Sequence, residues 1–91
     1  MVTKQAHVFI KGDVIGVGFR AWTKIQAMHV GVTGWVRNSG NSVEALIQGE
    51  EEVANQMVLL LKKGPPVSKV ENVKVVWETP SEKLTTFEIV Y

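Results

Sequence analysis

Apolar and polar positions alternate near the start of the chain. In AHVFIKGDV, residues 6–14, Ala6, Val8 and Ile10 fall on one face and His7, Phe9 and Lys11 on the other. A two-residue period of this kind predicts a half-buried strand, with Gly12 as its expected end. The period then changes. From Arg20 to Val30, Ala21, Ile25, Met28 and His29 recur at helical spacing, and Gly31 can supply a left-handed stop. VTGWVRN, residues 32–38, reads as a second strand and SGN as the turn of a hairpin. SVEALIQ then brings Val43, Ala45 and Ile47 onto one face of a third strand.

The second helix has clear signals at both ends. Glu50, Glu51 and Glu52 sit in its first turn, where carboxylates complement the positive end of the helix dipole. Val53, Met57, Leu60 and Leu61 make its expected apolar stripe. Lys62 and Lys63 occupy the last turn, Gly64 the stop, and Pro65 and Pro66 forbid continuation. VENVKVVWE alternates through Val73, Val75 and Trp77, and TTFEIVY brings Phe87, Ile89 and Tyr91 into phase, with the polar TPSEKLT between them. The order predicts an α+β, ferredoxin-like βαββαβ sandwich: an antiparallel sheet, two helices on one face, and a short extra C-terminal strand. That fold hosts many functions and selects none.

Composition narrows the field mainly by exclusion. Ninety-one residues are expected to form one domain spanning 1–91, with one core. A net charge of +1 proposes neither a nucleic-acid nor a membrane partner. Without cysteine there is no disulfide framework, zinc thiolate cluster or thiol nucleophile. The longest apolar run, MVLLL, is far too short for a bilayer, and the N-terminus lacks the pattern of a signal peptide. A cytoplasmic protein is expected.

Chemistry gathers at GDVIGVGFRAW, residues 12–22. GVGFRA satisfies G-x-G-x-x-A between a strand and a helix, the context of a dinucleotide fingerprint. The match fails further along, because no carboxylate for a ribose stands in TGWVRN and the chain is too short for repeated βαβ units. No Lys-Ser or Lys-Thr follows the glycines, so it is not a P-loop either. The loop still suits an anion. Glycines let successive N–H groups turn toward one point, the helix start aims its unpaired N–H groups there, and Arg20 adds a planar fork matched to phosphate oxygens. The alternative is an ordinary strand-to-helix turn with a surface arginine. VIGVGFR has the spacing of a C-x5-R phosphatase cradle with valine in place of the thiolate, which suggests attack by water. An amide at the end of the neighbouring strand could position that water, and Asn38 stands at such a place.

GDVIGVGFR and GWVRN together resemble the acylphosphatase family, whose signatures read G-x-V-Q-G-V-G-F-R and G-[WFY]-V-[KR]-N. The likeness extends over nearly the whole chain, including GPP after the second helix and the aromatic C-terminal strand. The resemblance implies a hydrolase of acyl phosphates. Arg20 and the backbone N–H groups of Ile15, Gly16, Val17, Gly18, Phe19 and Arg20 would bind phosphate, and Asn38 would orient the attacking water. It implies no metal, no cofactor and no covalent intermediate, with inorganic phosphate as product and competitive inhibitor. A monomer acting on a small acyl phosphate is expected. The carboxylate leaving group has a conjugate acid of pKa about 4, so it departs without a general acid. The water's proton can pass to a phosphate oxygen. His7 and His29 are therefore read as structural, as are Phe19, Trp22, Trp35 and Trp77.

Three positions depart from the family pattern. Ile15 stands where glutamine is usual, Asp13 where a basic residue is common, and SGNSV is one residue short, with Asn41 near the expected glycine. The rival reading is a non-catalytic phosphate- or anion-binding module of the same fold. An RNA-binding module would need an aromatic and basic third strand, which SVEALIQGE is not.

Overall fold

The computed structural model describes residues 3–91. Its elements are β1 (Thr3–Asp13), α1 (Phe19–Val30), β2 (Thr33–Ser39), β3 (Ser42–Glu50), α2 (Glu51–Lys63), β4 (Lys69–Glu78) and β5 (Phe87–Ile89). The strands form one sheet in the order β4-β1-β3-β2-β5. β1 pairs antiparallel with β3 and β4, and β2 antiparallel with β3. The expected βαββαβ order is present, but the sheet is mixed rather than wholly antiparallel, because β5 runs parallel to β2 with Gly34 opposite Phe87. The connection explains this. Residues 79–86 cross one end of the sheet, so β5 starts from the same end as β2 and must run the same way. Gln48 ties the crossing down, donating to the Glu82 carbonyl at 2.8 Å and accepting from the Leu84 N–H at 2.8 Å.

The strand register puts Ala6, Val8, Ile10, Val36, Val43, Ala45, Ile47 and Phe87 into the core beneath the helices. Both helices are rotated relative to expectation. Ala21, Ile25, Met28 and His29 of α1 are exposed, and Phe19, Thr23 and Ala27 are buried. The buried row has spacing i, i+4, i+8, and its small Thr and Ala side chains let α1 lie close to the sheet. A buried threonine is tolerated because its Oγ1 donates to the Phe19 carbonyl at 2.7 Å. In α2 the buried row is Ala54, Met57, Val58 and Leu61, with Val53 and Leu60 half-buried at its margin. A stripe traced along the sequence favours large apolar side chains, whereas close helix-to-sheet contact selects small ones.

Two backbone details also differ from the sequence reading. Gly12 does not end β1; the strand continues to Asp13 through an irregularity at Lys11/Gly12 in its pairing with β4. Gly12 has φ 137°, and a Cβ there would run into the Lys69 carbonyl, so the position requires glycine. In the β2–β3 turn the left-handed residue is Gly40 (φ 61°) and not Asn41. Ser39 faces Ser42, leaving a two-residue loop with positive φ at its first position only, as in a type II′ hairpin. The shortened turn therefore closes without strain.

The face of the sheet opposite the helices carries polar side chains around Glu44, which is 7% exposed. Glu44 Oε1 accepts from Arg37 Nε at 2.8 Å, and its Oε2 meets His7 Nε2 at 2.5 Å. Burial alone would push the Glu44 carboxyl up; hydrogen bonds from Arg37 and His7, and their charges, outweigh it and hold the carboxyl below its ordinary value of 4.5. A depressed carboxyl stabilises the folded state above the unfolded value and loses that contribution as pH falls through the folded one. We expect the urea midpoint to decline on acidification below about pH 4.5, and Glu44→Gln to flatten that decline while lowering stability near neutrality. Parallel pH curves for the two proteins would contradict this assignment.

Candidate active site

Four chain ends converge at one end of the sandwich: the end of β1, the start of α1, the end of β2 and the residues after β5. Between them lies a hollow of about 170 Å³ lined by Val14, Gly16, Gly18, Phe19, Arg20, Ala21, Asn38, Ile89 and Tyr91. The loop from β1 to α1 is shaped by Gly16 and Gly18, both at φ 75°. Other residues rarely adopt that region, and here it bends the chain sharply into the helix. Gly18 is the N-cap of α1 and has no side chain to take up the first N–H groups of the helix. The first intrahelical bond runs from the Trp22 N–H to the Gly18 carbonyl at 3.0 Å. Among the described residues, no protein acceptor takes the backbone N–H groups of residues 15–20.

The first turn of α1 also contains no acidic residue. The unpaired N–H groups and the positive end of the helix dipole are therefore uncompensated, which favours an anion at this end. Phe19 anchors the turn: it is 2% exposed and packs edge-on against Trp22, with ring centroids 5.6 Å apart. Phe19 facing inward turns the next residue, Arg20, toward the hollow. The Arg20 guanidinium lies over the Tyr91 ring, 4.9 Å from its centroid, a stacking that holds the fork while leaving its N–H edge available.

Asn38 reaches the hollow from the other side. It sits near the end of β2, opposite Val43, and is exposed. The hollow thus brings together Gly16, Gly18, Phe19, Arg20 and Asn38. The side chains of Ile15 and Val17 do not line it: Ile15 is 38% exposed, and Val17 packs against the core. Any contribution of those two residues is made through the backbone, and the Ile15 side chain takes no part in the lining. Asp13 lies outside the hollow, beside Lys69 on β4. His7 and His29 are also outside it, His7 in the Glu44 network and His29 in the last turn of α1.

Val14, Ala21, Ile89 and Tyr91 were not singled out as site residues from sequence. The in-phase strand reading of Phe87, Ile89 and Tyr91 was the available signal. What it lacked was the position of that strand: β5 pairs with β2, and the Val90 N–H donates to the Val36 carbonyl at 2.8 Å, which carries Tyr91 to the mouth of the hollow.

Fold and hollow define a class: a ferredoxin-like α+β domain with a hollow where a glycine loop meets a helix start. Comparison with known proteins narrows the class. The acylphosphatase family model matches residues 6–89. An acylphosphatase from Pelotomaculum thermopropionicum is 38% identical, with all of both chains covered. One from Roseiflexus sp. is 44% identical, covering 96% of this chain and 95% of the relative. The crystal structure of acylphosphatase from Bacillus subtilis superposes with a TM-score of 0.92 at 35% identity, covering 97% of this chain and 99% of that one. The chain belongs to the acylphosphatase family, and the reaction that goes with it is hydrolysis of acyl phosphates. Among the described residues no helix is long and apolar enough to cross a membrane.

Proposed function

We propose that the hollow binds the phosphoryl group of a small acyl phosphate and that water attacks phosphorus directly. The observation that carries this reading is the meeting of Gly16, Gly18 and Arg20 with Asn38 around unpaired backbone N–H groups. The backbone N–H groups of residues 15–20 and the Arg20 fork bind the non-bridging oxygens, where charge is spread in the transition state. Asn38 accepts a hydrogen bond from water through Oδ1 and donates to a phosphate oxygen through Nδ2. The water oxygen bonds to phosphorus as the bond from phosphorus to the acyl oxygen breaks. The carboxylate leaves with the electron pair, and a water proton passes to a phosphoryl oxygen. The leaving carboxylate needs no proton, since its conjugate acid has a pKa of about 4. Positioning and charge stabilisation are what remain for the protein to supply. The reaction takes place in one domain, in the cytoplasm, with no metal or cofactor.

The test is hydrolysis of an aryl acyl phosphate with and without EDTA, combined with a phosphate titration followed by amide NMR. We expect full activity in EDTA and a rate that varies little between about pH 5 and 7.5, because no histidine takes part. Inorganic phosphate should compete with substrate, and the largest amide shifts should cluster at residues 15–20. Activity lost to EDTA and restored by a divalent cation would refute the mechanism. So would phosphate shifts that leave this loop unmoved. Phosphate shifts at the loop without turnover would favour a non-catalytic anion-binding module.

A further inference from the structure

The sheet order leaves β4 at one edge, ten residues long, with no strand on its outer side among the described residues. Natural edges are commonly blunted by bulges, lysines or prolines, because an open ladder invites another strand. The irregularity at Lys11/Gly12 lies beside the first part of β4, and Pro80 follows its end. Between them, Asn72 to Glu78 pairs with β1 in unbroken register. Two apolar side chains on that regular stretch are exposed, Val76 at 38% and Trp77 at 45%.

A second copy of the chain fits this edge. When two identical strands join antiparallel about a two-fold axis normal to the sheet, paired positions sum to a constant and share a face. Lys74, Val76 and Glu78 project to the open face, opposite Phe9, His7 and Gln5 of β1, and Val75 and Trp77 project to the helix face. With the axis on Val76, Lys74 faces the partner's Glu78 and Glu78 faces the partner's Lys74. Val76 then meets the partner's Val76, and Trp77 meets the partner's Val75. An axis on Val75 pairs Lys74 with the partner's Val76 and forms no charge pair. An axis on Lys74 sets lysine against lysine.

Glu78 lies on the open face beside β1, where Gln5 Nε2 donates to its Oε1 at 2.8 Å and His7 Nδ1 stands 3.9 Å from its Oε2; pairing across the edge needs the carboxylate to turn outward from these contacts. Lys74 takes part in no ion pair among the described residues. We propose that β4 joins β4 of a second copy in the register centred on Val76, making one continuous sheet from two with all four helices on the same face. The contact is short, so the dimer is a reversible one that forms as concentration rises. It gives way to the monomer expected from sequence at the dilution of an activity assay. The hollow lies toward β2 and β5 and stays open in the dimer.

Sedimentation velocity from micromolar to millimolar protein tests this. The wild type should pass from monomer to dimer, and added salt should weaken the dimer. Lys74→Glu sets carboxylate against carboxylate twice across the axis and should raise the dissociation constant about tenfold or more. Lys74→Glu combined with Glu78→Lys restores opposite charges in the same register and should recover the dimer. Val76→Lys puts like charges on the axis and should leave a monomer. Circular dichroism confirms that each variant is folded, and hydrolysis per chain should match wild type. A wild type that stays monomeric at millimolar concentration overturns the proposal, as does a folded Lys74→Glu variant that dimerises as tightly as wild type. A folded double variant that does not recover the dimer overturns the register.

Discussion

Arg20→Ala is expected to lower kcat/KM by about 10³-fold or more, within the range of 10³–10⁵ attached to an arginine on a transferring phosphoryl group. In the proposed mechanism the guanidinium neutralises charge on the bound phosphate and on the transition state alike, so binding and turnover should both fall. Inhibition by inorganic phosphate should weaken in the same variant. Arg20→Lys keeps the charge but loses the planar fork and its stacking on Tyr91, and should lie between alanine and wild type. Thermal unfolding should be little changed, because Arg20 forms no ion pair among the described residues and is only half-buried. Steady-state kinetics with phosphate as inhibitor measures each of these effects. Unaltered phosphate inhibition in a folded Arg20→Ala variant would remove Arg20 from the binding site.

Asn38→Ala should separate catalysis from binding. Its proposed contact is to the attacking water, which matters more to the barrier than to affinity. We expect kcat to fall by about 10²–10³, or about 2.7–4 kcal/mol, the scale for one preorganised hydrogen-bonding group. Phosphate inhibition should stay within a few-fold of wild type. The side chain is exposed at the end of β2, so its removal leaves no cavity and the fold should persist. Near-normal kcat in the folded variant would show that water is positioned by something else. A parallel loss of phosphate binding would show that Asn38 holds the phosphoryl group itself.

That both side chains line the hollow was legible in sequence, but for different reasons. Arg20 is nominated by local chemistry: glycines before a helix start suit an anion, and the arginine fork matches phosphate oxygens. Asn38 is eighteen positions away on another strand. Its nomination rested on a second motif, and its approach to Arg20 follows from the order β1-β3-β2, which places β2 in the sheet with its end beside the glycine loop. Tyr91 had no motif at all. Its place under Arg20 depends on β5 crossing to the far edge and pairing parallel with β2.

By itself the sequence determined the elements and their order, the stops at Gly31 and Gly64, the inward faces of β1 and β3, and the glycine loop with its arginine. All of these depend on the conformational preferences of neighbouring residues, or on a period that a few residues suffice to set. Only the tertiary structure decided which face of each helix is buried, that β1 continues through Gly12 past an irregularity in its pairing with β4, and that Gly40 rather than Asn41 takes the left-handed turn position. It alone showed β4 to be an open edge and Tyr91 to be part of the hollow. Each of those outcomes is set by contacts between segments distant in the chain. How closely α1 can approach the sheet depends on Thr23 and Ala27 meeting strands far from them in sequence. Where the last strand pairs depends on which edge the loop from β4 can reach. Local preference has no access to such distances, because they exist only once the layers have packed.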